Sequence, residues 1–258
     1  MMTSMPSSCC FRSSPPRRVL IVLHQEHSIP GRLGRLLMER GFELDIRRPR
    51  FGEPLPASMD DFAGAVIFGG PQSANDPDDY IRAEIDWIGV PLREQRPFLG
   101  ICLGAQMMAV HLGGRVGPHP QGLVEIGYYD VQPTEAGRAL IPDWPGKVYH
   151  WHREGFEVPP AGAELLAEGS AFPNQAFAVG PAAFGLQFHP ELTLAQIHKW
   201  TTKAAARMSV PGARPAREHF EERRIHDPQV LAWLDNFLDL WIGTADNPRF
   251  PAASLNGM

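Results

Sequence analysis

The chain has 258 residues, 43% hydrophobic and 21% charged, enough to bury a sizeable core in one α/β domain. Its formal net charge of -5 leaves no broad basic field for a polyanion, which argues against nucleic acid as a partner. No apolar run approaches the roughly 18 residues of a membrane span, and Cys9, Cys10 and Cys102 make no disulfide framework, so a cytoplasmic chain with no membrane partner is expected.

Residues 1–18 are rich in Ser, Pro and Arg and read as a disordered tail. Val19 to Leu23 is continuously apolar, as a strand buried on both faces requires. Gly31 to Arg40 carries Leu33, Leu36 and Leu37 at helical spacing and stops at Gly41. Glu43 to Arg47 is a short second strand, and Ala65 to Phe68 a buried third that ends in Gly69-Gly70-Pro71. Asp78 to Glu94 reads as a helix with Ile81, Ile85, Ile88 and Leu92 inward, Pro97 to Ile101 as a strand, and Leu103 to Leu112 as the helix after it. Strands alternating with helices imply a parallel sheet. Beyond Gly113 come short, turn-punctuated segments, Val124 to Val131, Lys147 to Tyr149, Phe156 to Val158, Glu164 to Ala167 and Ala176 to Val179, expected as antiparallel strands that extend one edge. Ala183 to Phe188 returns to the centre, and helices follow over Leu192 to Arg207 and Asp227 to Trp241. Residues 19–243 form the domain in this reading, and 244–258 a frayed end.

Gly100-Ile101-Cys102-Leu103-Gly104 has the form G-x-C-x-G between a buried strand and a helix, a nucleophile elbow with Cys in place of Ser. Small flanking residues suit the sharp turn, and the helix N-terminus presents free N–H groups to a negative charge. A cysteine nucleophile needs a base, and the base needs an orienting group. His189 closes the strand that leads into His189-Pro190-Glu191, Pro190 turns the chain, and Glu191 swings back to the imidazole. Gly70 and Leu103 supply backbone N–H groups for an oxyanion hole. His150 and His152 stand at a spacing that metal ligands also use, but no carboxylate or Cys lies at ligand spacing beside them, so no metal and no cofactor are expected.

These segments together resemble the signatures of the class I glutamine amidotransferases: Gly100 to Gln106, Gln187 to Glu191 and the upstream Phe68 to Pro71, in the same order and separation. The resemblance covers roughly Val19 to Trp200. It implies an open, mostly parallel, flavodoxin-like sheet with helices on both faces and an antiparallel edge extension. It also implies a γ-glutamyl thioester on Cys102, from which ammonia leaves first and water then releases glutamate. Within the family, Tyr149 to Glu154 and Phe156 to Pro159 are similar to the W-H-x-D segment of stand-alone proteins related to the amidotransferase domain of GMP synthase. Here Glu154 replaces the usual Asp, and Arg153 a common Gly. By resemblance, Gln106 helps bind the substrate's amino-acid end, Gly69 is also substrate-binding, and Trp151 and His152 line the pocket through their backbone.

No synthetase domain is expected within these 258 residues, which hold no phosphate-binding glycine loop of Walker or Rossmann form. Three functions follow: a glutaminase that docks on a separate synthetase subunit, an independent hydrolase of γ-glutamyl peptides or conjugates, or a non-catalytic regulatory protein on the same fold.

Overall fold

Strand β1 (Arg18–Val22) alternates its side chains between two cores, which is why the run is apolar throughout. Val19, Ile21 and Leu23 face one core, and Leu20 and Val22 the other. The computed structural model of the protein describes residues 17–158 and 162–250. After β1 come α1 (Gly31–Glu39), β2 (Glu43–Arg47), β3 (Phe62–Ile67), α2 (Asp79–Trp87), α3 (Gly89–Arg93), β4 (Phe98–Ile101) and α4 (Leu103–His111). The single helix expected over 78–94 is divided at Ile88, because Pro91 has no N–H to return to the preceding turn.

The second half contains β5 (Arg115–Pro118), β6 (Glu125–Asp130), β7 (Gln132–Pro133), α5 (Glu135–Leu140), β8 (Lys147–His152), β9 (Glu154–Val158), β10 (Glu164–Glu168), β11 (Asn174–Val179), β12 (Ala183–Leu186), α6 (Leu194–Lys203) and α7 (Ala216–Trp241). The central sheet has eight strands in the order β2-β1-β3-β4-β12-β11-β10-β7. Its first five run parallel to one another, and β11, β10 and β7 extend it antiparallel, as expected. The edge extension is smaller than the sequence suggested. Segments 124–131 and 147–149 pair with each other as β6 and β8, and 156–158 pairs with β5, all outside the central sheet.

Helices α1 and α7 cover one face of the sheet and α2, α3 and α4 the other. The closing helix begins at Ala216, not Asp227, and runs through Pro228. Its first turns leave most of their side chains exposed or half-buried and offer no apolar stripe; Val230, Trp233, Leu234, Phe237, Leu238 and Trp241 bury the rest. No described helix is long and apolar enough to cross a membrane.

Two boundaries move. Most of the expected tail over 1–18 lies outside the described residues, but Arg18 is already in β1, paired with Glu43 and Phe62. At the other end, 251–258 lies outside them, whereas Ala245 is 1% exposed and donates its N–H to the Arg40 carbonyl at 3.0 Å. The segment after Ile242 is therefore anchored on α1's end, which its polar composition conceals.

Candidate active site

Strands β3, β4 and β12 are adjacent and parallel, so the loops after their carboxyl ends meet. Those loops carry Gly69-Gly70, Cys102 and His189-Pro190-Glu191. Cys102 has φ 51° and ψ -104°, a backbone state that a side chain rarely adopts, and it caps α4. The two flanking glycines are steric requirements of this turn. A Cβ on Gly100 would stand within 2.6 Å of the Gly104 and Ala105 backbone, and one on Gly104 would collide with the Ile67 carbonyl. Leu103 opens α4, so its N–H has no carbonyl one turn back to meet.

Cys102 is 5% exposed, and His189 and Glu191 each 3%. Glu191 Oε1 accepts from His189 Nδ1 at 2.8 Å, which leaves Nε2 as the working nitrogen. Cys102 and His189 converge over Gly69, where a Cβ would lie 2.8 Å from His189 Cε1 and 3.3 Å from Cys102 Cβ. Burial disfavours the charged imidazole, but the Glu191 carboxylate and the Cys102 sulfur outweigh it and push the His189 pKa up to about 10. The edge of the ring is held by Trp200, at 5.2 Å between centroids, and Trp200 in turn meets Trp151 at 5.5 Å.

The remaining expected residues sort into two kinds. Gly69 lies against Cys102 and His189; a Cβ on Gly70, next in the chain, would crowd His24 at 3.0 Å. Gln106 and His152 are instead committed to the protein. Gln106 Nε2 donates to the Glu154 carbonyl at 2.8 Å and to Gln187 Oε1 at 3.1 Å. His152 Nδ1 donates to the same carbonyl at 3.0 Å, and its Nε2 faces Glu125 Oε2 at 3.0 Å. Glu154 enters this network through its carbonyl, which an Asp would offer equally, and the Arg153 side chain is exposed.

The expectation that no carboxylate accompanies His150 and His152 is corrected by β6, which sets Glu125 opposite His152. Glu125, His150 and His152 form a buried group whose nitrogen and oxygen atoms lie within 4.8 Å of one another. Linear spacing could not reveal it, because the carboxylate comes from the paired strand. Burial opposes ionisation of Glu125, but His150, His152 and Gln175 overcome that and hold its pKa down to about 2; burial drives His150 down to about 3.

Three supports lie beyond the residues expected at the site. His24 donates from Nδ1 to the Gly69 carbonyl at 3.3 Å, and its Nε2 meets Glu84 Oε2 at 2.7 Å with both side chains fully buried. Arg32 donates to the carbonyl of Leu192, directly after Glu191, and pairs with Asp227 on α7. Thr193 then starts α6 with a capping box closed by Gln196. Only that last feature had a local signal, a Thr three residues before a Gln.

Residues 21–204 match the class-I glutamine amidotransferase family. The chain belongs to this family. It is 32% identical over 232 residues to the glutamine amidotransferase-like protein YfeJ of Salmonella typhimurium, covering 86% of this chain and 96% of that one. It is 35% identical over 133 residues to GMP synthase of Limosilactobacillus reuteri, but that match spans only 24% of the synthase. Among solved structures, a glutamine amidotransferase from Methylobacillus flagellatus superposes with a TM-score of 0.79 at 25% identity, covering 87% of this chain and 94% of that one. One from Thermotoga maritima superposes at 0.77 with 26% identity, covering 87% and 97%.

Proposed function

We propose that the amidotransferase hydrolyses the side-chain amide of glutamine through a γ-glutamyl thioester on Cys102. The observation that carries this reading is the buried line from Cys102 through His189 to Glu191 at the ends of β4 and β12. In this reading His189 takes the thiol proton, and the sulfur attacks the amide carbon. The N–H groups of Gly70 and Leu103 hold the oxygen that becomes negative. The C–N bond breaks as His189 Nε2 gives its proton to the departing ammonia. Water then attacks the thioester, its proton passing to His189, and glutamate leaves with the thiol restored. Glu191 fixes the imidazole's orientation and stabilises its charge throughout.

A second reading, an independent hydrolase of γ-glutamyl peptides or conjugates, is favoured by one feature. A depression beside the imidazole, lined by Gln25, Ser28, Gly69, Lys199 and Trp200, has space for a leaving group larger than ammonia. A separate synthetase that receives the ammonia belongs to the first reading. The deciding experiment measures glutamate release by the purified chain from glutamine and from γ-glutamyl dipeptides, with Cys102→Ala as the blank. Release from glutamine that equals the blank, with dipeptides turned over, selects the second reading. Release at the blank's rate from every substrate, with and without a candidate synthetase, removes both.

A further inference from the structure

Strands β6 and β8 pair antiparallel, with Glu125 opposite His152 and Gly127 opposite His150. Residues facing each other across such a pair share one side of the sheet, and His150 and His152, two apart, share it as well. All three side chains are buried, with at most 6% of any residue exposed.

Three atoms converge. His150 Nδ1 lies 3.3 Å from Glu125 Oε2, His152 Nε2 lies 3.0 Å from the same oxygen, and the two nitrogens are 3.1 Å apart. Ligands bonded to zinc at about 2.0–2.1 Å in a tetrahedron stand roughly 3.3 Å from one another, so these atoms nearly form one face of that tetrahedron. The protonation state sharpens the point. The Glu154 carbonyl can only accept, so His152 Nδ1 carries hydrogen. The Nε2 lone pair of a neutral ring then faces both Glu125 Oε2 at 3.0 Å and His150 Nδ1 at 3.1 Å, a convergence that either a cation or a hydrogen on His150 Nδ1 satisfies. Two of the three have outer partners: His152 donates its far nitrogen to a backbone carbonyl, and Gln175 Nε2 donates to Glu125 Oε2 at 2.9 Å, while His150 Nε2 is buried without one. Two imidazoles and one carboxylate suit a divalent first-row transition ion.

We propose that Glu125, His150 and His152 bind a structural zinc ion. The ion ties β6 to β8 and, through the Glu154 carbonyl that Gln106 also holds, to α4. The alternative, a proton shared among the three side chains in place of the metal, makes the opposite prediction for metal content.

The full-length chain, produced with zinc in the medium and passed through gel filtration, is expected to keep one zinc per chain by elemental analysis. Chelation should lower its melting temperature by on the order of 5 °C, and zinc alone should restore it. Glu125→Gln and His150→Asn should each lose the metal; since either change can itself unfold the chain, the chelation cycle on the unaltered protein decides. A chain that takes up no zinc before or after chelation and melts unchanged overturns the assignment in favour of the shared proton. Zinc retained equally by a folded His150→Asn/His152→Asn chain overturns it too, by placing the metal elsewhere. Amide hydrolysis plays no part in this readout.

Discussion

At the reacting centre the useful distinctions lie between residues that touch substrate and those that hold them. Glu191 orients His189 from Nδ1 at 2.8 Å. Glu191→Gln keeps the contact's shape but loses its charge and favours the wrong tautomer. The expected result is a fall in kcat of roughly a thousandfold, still above the Cys102→Ala blank, measured as glutamate release. Full activity in Glu191→Gln would remove it from the triad. His24 is a positioning residue, since it reaches the reaction only through the Gly69 carbonyl. His24→Gln, which keeps a polar group beside Glu84, should lower kcat by roughly tenfold or more with little change in KM, because the oxyanion donors matter most in the transition state. An increase in KM alone would mean that His24 serves ground-state binding instead.

Among the elements, the β4–α4 turn tolerates least. Gly104 sits where any Cβ would meet the Ile67 carbonyl on β3, a backbone atom with no rotamer to move. Gly104→Ala should cost about 1–3 kcal/mol, seen as a lower urea midpoint with an unchanged slope. A variant as stable as the parent would show that β3 and α4 can separate. The contrast is Gly113, which has positive φ but open space around an added Cβ. Helix α7 supports the site from behind: Trp233 packs on Phe188 at 5.6 Å, next to His189, and Asp227 holds Arg32 and Arg223 under the Leu192 carbonyl.

For the whole molecule, the buried imidazole couples folding to pH. The His189 ring titrates near 6.5 in the unfolded chain and at about 10 in the folded one. The folded state therefore binds the proton more tightly. The resulting stabilisation is complete below about pH 6.5 and is lost as pH rises through about 10. The melting temperature should fall between pH 7 and pH 10, and fall less steeply in His189→Gln. Equal slopes in the two proteins would mean that other groups set the pH dependence.

What the sequence determined by itself was local. The continuous apolar runs of β1, β3 and β4, the glycines about Cys102 and the turn at Pro190 each state a requirement of the backbone within a few residues. That sufficed for the parallel sheet, its antiparallel extension, and the nucleophile, base and orienter as expectations. Tertiary structure decided whatever depended on partners distant in the chain. His24 and Glu84 are 60 residues apart, and Arg32 and Asp227 are 195 apart, so no spacing rule joins them. Glu125 reaches His152 because β6 pairs with β8 outside the central sheet, where alternation alone left the partner strand open. The polar first turns of α7 and the anchored segment around Ala245 were missed for the same reason. Their order comes from what they pack against, and composition records only what a segment contributes itself.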